Sequence, residues 1–246
     1  MEPYRGCGGF FGGFLSRPPL RRLQAAAIAL LLLMLPVGAG TANAVTTPVS
    51  GASTAHVYLL RGVLNIFSLG LDDIAAQLRQ QGIPVTVANF VSWSSLADDA
   101  AAEYKSGRLR TIILVGHSSG ATALPDMVAK LNQLGVPVKL AIGLDSVFRT
   151  SLTGRVGRYI NFYIANGAGT PVEKTRQFQG ALENVNVQNV PGVGHISIDK
   201  NQIMQQRVIS AIDAVVFSRP TPASVAQSRS SPRRGSGAAS AAAIRN

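Results

Sequence analysis

Cysteine and histidine are both scarce in this chain of 246 residues, with one of the first and three of the second. Cys7 precedes the apolar N-terminal run and so stands too early to be a lipid-bearing cysteine after it. With no second cysteine there is no intrachain disulfide, and downstream of the N-terminal segment neither a thiol nucleophile nor a cysteine-based metal site is available. His56, His117 and His195 are too scattered to form a ligand cluster, so no metal is expected, and no cofactor-binding glycine pattern appears. Acids are also few, 12 against 23 Lys and Arg, for a net charge of +11. That excess sits at the ends: four Arg and one Glu in residues 1–44, and five Arg with no acid from Arg219 onward. The middle is only mildly basic, which argues against a nucleic-acid-binding domain, whose basic footprint would lie on the folded part. The C-terminal tail retains the charge for a weak contact with anionic surfaces.

What is present begins with an export pattern. Arg17, Arg21 and Arg22 precede an apolar run over 25–37, followed by Gly38-Ala39-Gly40 and the small-residue pattern Ala42-Asn43-Ala44. This reads as a signal peptide over 1–44 cleaved after Ala44, placing the protein in a periplasm or outside the cell. The alternative is an uncleaved membrane anchor, against which the run is short of the roughly 20 residues a spanning helix needs. The surroundings of Arg21-Arg22 match a twin-arginine signal poorly. Residues 45–55, rich in Thr, Ser, Pro and Gly, read as a linker. Residues 219–246, built from Ser, Ala, Pro, Gly and Arg, read as a disordered tail. Residues 56–218 remain as a single domain without internal repeats.

That domain alternates short apolar runs with helical periodicity. The runs 56–60, 85–88, 111–115, 138–144, 159–165 and 185–187 predict strands. Leu71, Ile74, Ala75 and Leu78 fall on one helix face, as do Leu124, Met127, Val128, Leu131 and Leu134. A last helix carries Met204, Val208, Ala211, Ile212 and Val215. The alternation predicts an α/β fold with a mostly parallel sheet and helices on both faces.

Chemistry concentrates at Gly116-His117-Ser118-Ser119-Gly120, directly after a buried strand and directly before a helix. A tight strand-to-helix turn holds its serine in a strained conformation and exposes the hydroxyl at the C-terminal edge of the sheet. Gly116 and Gly120 lack the side chains that would collide across such a turn. Ser118 is therefore the candidate nucleophile, and the Ser119 amide, at the positive end of the following helix, a candidate oxyanion donor. A serine hydroxyl needs a base. His56 opens the first strand and His117 lies within the turn, which leaves His195, in the loop before the last helix. Asp145 ends the strand 138–144 and is the candidate acid; Glu173 and Asp199 are the other carboxylates in range, Asp199 being expected to cap the last helix. The loop after the first strand, Leu60-Arg61-Gly62-Val63-Leu64-Asn65, should supply the second oxyanion donor from the amide of Val63 or Leu64, with Gly62 permitting close approach. Arg61 reads as an ion-paired support, and Trp93, at a helix start, as a partly buried core residue.

With these residues in view, Arg61-Gly62, Gly116-His117-Ser118-Ser119-Gly120, Gly143-Leu144-Asp145 and Gly192-Val193-Gly194-His195 resemble the α/β-hydrolase superfamily over about residues 55–217, closest to its small lipase-like and thioesterase-like members. The resemblance implies a triad of Ser118, Asp145 and His195, oxyanion amides at Val63 and Ser119, and hydrolysis of a small-molecule or lipid-like acyl ester or thioester without a cofactor. Transfer of the acyl group to an alcohol would use the same residues, and a catalytically silent envelope-binding scaffold is the alternative class. The chain departs from many members in having Arg61-Gly62 where they have His-Gly. Pro125 is expected to kink the helix after the nucleophile. The short segments 146–157 and 166–179 predict an open cleft without a substantial lid.

Overall fold

The computed structural model describes residues 52–218; the segments expected to be a signal peptide, most of the expected linker and the expected C-terminal tail lie outside them. Eight strands and four α-helices follow one another as β1 (Ala55–Arg61), α1 (Gly70–Gln80), β2 (Val85–Asn89), α2 (Trp93–Lys105), β3 (Thr111–His117), α3 (Ser119–Gln133), β4 (Val138–Leu144), β5 (Ser151–Leu152), β6 (Arg155–Tyr163), β7 (Glu173–Lys174), β8 (Gln179–Asn186) and α4 (Gln202–Val216). Six strands form one sheet in the order β2-β1-β3-β4-β6-β8, every pair of neighbours parallel.

The period-2 geometry of the strands divides the core in two. Val57, Leu59, Ile113 and Val115 face α1 and α4, whereas Tyr58, Leu60, Ile112 and Leu114 face α2 and α3. Each large aliphatic side chain buried in these layers contributes about 1.5–3 kcal/mol of transfer free energy. The helices obey the same demand: Leu124, Met127, Val128 and Leu131 form the buried stripe of α3. In α4 the buried stripe is Met204, Gln205, Val208, Ile209, Ile212 and Val216. It is turned slightly from the expected face, and Ala211 and Val215 are only partly buried. Pro125 does not interrupt α3, which runs from Ser119 to Gln133 with Pro125 buried inside it.

Several boundaries differ from the expected ones. Residues 52–54, expected within the linker, form a turn of 3-10 helix with Ala52 buried. β3 continues through His117, which is therefore strand rather than turn. β6 starts earlier than the run 159–165, because Arg155 and Arg158 pair with β8 across a register shift, and it ends at Tyr163, after which the Ile164 amide donates to the Asp145 side chain. β8 covers 179–186 rather than 185–187; it is the sheet's edge, largely exposed and polar, so most of it carries no apolar run. β5 and β7, unmarked in the sequence, pair in parallel with each other inside the β4–β6 and β6–β8 crossovers.

The chain moves from β1 outward to β2 and then crosses back to place β3 on the other side of β1. At such a reversal the loops leaving the two adjacent strands diverge and open a crevice at their C-terminal ends. Arg61 ends β1 and His117 ends β3, so the loop 62–69 and Ser118 flank that crevice.

Candidate active site

Ser118 occupies the junction of β3 and α3 with φ of 59° and ψ of −123°, a conformation L-residues rarely adopt. Close packing imposes the turn. A Cβ at Gly116 would overlap the Gly120 backbone, and one at Gly120 would overlap the Leu60 carbonyl oxygen. Among the described residues only three non-glycines have positive φ: Asn65, Ser118 and Asp145. They lie after β1, β3 and β4, all at the same edge of the sheet. Such strain costs on the order of 1–3 kcal/mol per residue and persists where the surroundings over-determine the backbone.

The structure brings Ser118, His195 and Asp145 into one hydrogen-bonded chain. His195 Nδ1 lies 2.6 Å from Asp145 Oδ2, and His195 Nε2 lies 3.1 Å from Ser118 Oγ. A carboxylate can only accept, so Nδ1 carries the proton and Nε2 is left to accept from the serine hydroxyl. Asp145 is fully buried, and its other oxygen accepts from the Ile164 amide at 2.9 Å. Its own amide donates to the Phe162 carbonyl at 2.8 Å, locking the residue between β4 and β6.

The other carboxylates stand elsewhere. Glu173 lies on β7, exposed and paired with Arg149 at 3.0 Å. Asp199 does not cap α4: Asn201 does, its side chain accepting from the amides of Ile203 and Met204. Asp199 instead accepts from the Gly70 amide at 2.9 Å, anchoring the start of α1.

On the opposite side of Ser118, the Gly62 amide is already committed to Ser68 Oγ at 3.0 Å. The next residue, Val63, lines the same cleft as Ser118 and Ser119. Ser119 opens α3, where an amide has no acceptor within the helix. A β-carbon at Gly62 would stand 3.0 Å from that of Ser118, so a glycine suits this approach. Arg61 pairs with Asp72 and takes no part in the cleft.

The cleft above Ser118 has a volume of about 690 Å³. Val63, Phe90, Trp93, Val147 and Phe148 give it apolar walls, and Asp126 is its one acidic side chain. Trp93 is both a cleft wall and a core residue, since it also packs against the cluster under α2 and α3. Phe148 is 67% exposed at the edge of the cleft.

Sequence reasoning did not assign a role to His117. It is 1% exposed, with its ring centre 5.3 Å from that of His195. Its Nδ1 meets Ser68 Oγ and its Nε2 meets the His195 carbonyl oxygen, each at 2.8 Å. Burial holds its pKa below the ordinary 6.5, the nearby Asp199 carboxylate acting the other way. Its place in the Gly-His-Ser turn was visible, but its partners are 49 and 78 residues distant. No metal-holding group of His, Cys, Asp or Glu occurs among the described residues.

Comparison with known proteins assigns no family, since no family model and no curated protein matches the chain.

Proposed function

We propose that this protein is an exported serine hydrolase of the α/β-hydrolase type that cleaves a carboxylic ester or thioester through an acyl-Ser118 intermediate. The observation that carries the reading is the Asp145–His195–Ser118 hydrogen-bond chain, ending on a strained serine in an apolar cleft. Strain of this kind in three residues at one edge of the sheet is a feature of sites that position reacting groups. The pattern of Arg17, Arg21 and Arg22 before an apolar run supports export.

In the proposed reaction His195 Nε2 takes the Ser118 proton as Oγ attacks the acyl carbon. Asp145 holds the ring in the required tautomer and offsets the charge the imidazole gains. The oxyanion forms beside the Ser119 amide, at the N-terminus of α3, and the amide of Val63. The protonated His195 then gives its proton to the departing alcohol or thiol, leaving acyl-Ser118. Water, deprotonated by His195, attacks that ester, and collapse of the second tetrahedral species returns the proton to Ser118 Oγ. The apolar cleft walls suit an acyl chain, and their exposure suits a substrate that enters from the open side.

The test is hydrolysis of a short-chain p-nitrophenyl ester and its thioester counterpart by the full chain, alongside Ser118→Ala and His195→Ala. Turnover abolished in the folded variants supports the reading, and the preferred counterpart identifies the leaving group. A folded wild type no faster than buffer on either substrate contradicts it, and the binding-scaffold alternative then takes precedence.

A further inference from the structure

His117 has two hydrogen-bond partners, and one of them has a fixed role. The His195 main-chain oxygen can only accept, so His117 Nε2 carries the proton and donates to it at 2.8 Å. Burial favours the neutral ring, in which Nδ1 is an acceptor and the Ser68 hydroxyl donates to it, again at 2.8 Å. The Gly62 amide can only donate, and it does so to the free lone pair of Ser68 Oγ at 3.0 Å. The directions close without conflict: Gly62 N–H to Ser68, Ser68 O–H to His117, His117 N–H to the His195 carbonyl. All of this lies behind the cleft, with Ser68 and His117 each 1% exposed.

The chain of bonds joins three separate segments. Gly62 and Ser68 belong to the loop after β1, His117 is the residue before the candidate nucleophile, and His195 lies in the loop after β8. From these contacts we infer that His117 is a positioning residue, which fixes the oxyanion loop and the base loop against the Ser118 turn through its neutral Nε2–H tautomer. The inference rests on the serine-hydrolase reading. It specifies how that site is held: Asp145 fixes the His195 ring, and His117 fixes the His195 main chain. By occupying the Gly62 amide through Ser68, it also leaves Val63 as the first uncommitted donor of the oxyanion loop.

A second bridge spans the same two loops farther out. Lys200 Nζ donates to the carbonyls of Phe67 and Ile196, each at 2.7 Å. That bridge secures the loops' outer parts and does not touch Gly62 or His195. The inner bridge therefore answers for the register between base and oxyanion donor, where an error of about 1 Å can cost on the order of 100-fold in rate.

The experiment compares full-chain wild type with His117→Phe, His117→Gln and Ser68→Ala, each first checked for folding by thermal denaturation. Ester turnover and the rate of fluorophosphonate labelling are then measured. Phe keeps the ring and loses both bonds, whereas Gln retains a donor and an acceptor. His117→Phe should lose roughly 10- to 100-fold in kcat with KM changed by no more than about twofold, since only alignment is disturbed. His117→Gln should recover much of that loss, and Ser68→Ala should fall between, with labelling rates in the same order. Folded variants that turn over within about twofold of wild type overturn the inference and leave the hydrolase reading intact. If His117→Phe does not fold, Ser68→Ala decides by the same criterion. An inert wild type removes the hydrolase reading itself, and the inference with it.

Discussion

A Cβ at Gly169 would overlap the Oδ1 of Asp145. The crossover after β6 thus lies directly on the buried carboxylate, with Oδ1 also accepting from the Ile164 amide. Gly169→Ala should push the carboxylate off that amide and loosen its hold on His195. On the proposed mechanism the expected outcome is a fall of roughly 10- to 100-fold in kcat, from misplacement of the proposed base. A stability loss of about 1–3 kcal/mol from overpacking should accompany it, checked by urea denaturation.

The Ile164 amide also dictates the outcome of Asp145→Asn. That amide needs an acceptor, so the Asn oxygen will face Ile164 and its NH₂ will face His195 Nδ1. His195 must then accept at Nδ1 and carry its proton on Nε2, pointing at Ser118. On the proposed mechanism a base holding the wrong proton cannot activate the serine, and a loss on the order of 10⁴-fold in kcat is expected, as for triads whose acid becomes an amide. Steady-state ester hydrolysis measures it, with circular dichroism as the folding control.

Much of this arrangement was legible before the fold was known. Ser118 announces itself because a strand, a glycine-flanked turn and a helix are adjacent in sequence. His195 emerges by elimination among three histidines. Asp145 follows from its place at the end of a strong apolar strand. What could not be read depends on contacts without a local signal. The bonds from His117 to Ser68 and His195 require the folded sheet. Asp199 has the composition of a cap, but Asn201, two residues on, has the geometry. β8 is exposed and polar along most of its length because it is an edge, so its hydrogen bonds, and not its hydrophobicity, define it.

His117 also makes a pH-dependent contribution to stability. Its pKa is lowered in the folded state, first by burial; the Asp199 carboxylate and the His195 carbonyl oppose this, while the His195 and Lys200 charges reinforce it. Below the ordinary value of 6.5 the unfolded chain takes up a proton that the folded chain resists. Stability is thus fully present above that value and declines as pH falls from it toward the depressed folded pKa. Denaturant titrations between about pH 8 and pH 5 should show this decline, with a shallower slope in His117→Phe. Equal slopes would show that another group, such as the part-buried His56, dominates the range.

Gly120→Ala tests the turn itself. The added methyl would run into the Leu60 carbonyl oxygen of β1, a backbone atom that cannot rotate away. A destabilisation of at least about 3 kcal/mol, or failure to fold, is expected from that clash. Thermal melting checks it; a variant melting with the wild type would show that β1 and α3 leave room for a methyl group at Gly120.

The central claim is that Ser118 is an activated nucleophile, and covalent capture tests it most directly. The full-length protein, incubated with a fluorophosphonate, should gain a single adduct by intact mass, mapping to Ser118 after proteolysis. Ser118→Ala should gain none, and Asp145→Asn should react far more slowly. A folded wild type that remains unmodified, or an adduct that persists in Ser118→Ala, would contradict the account.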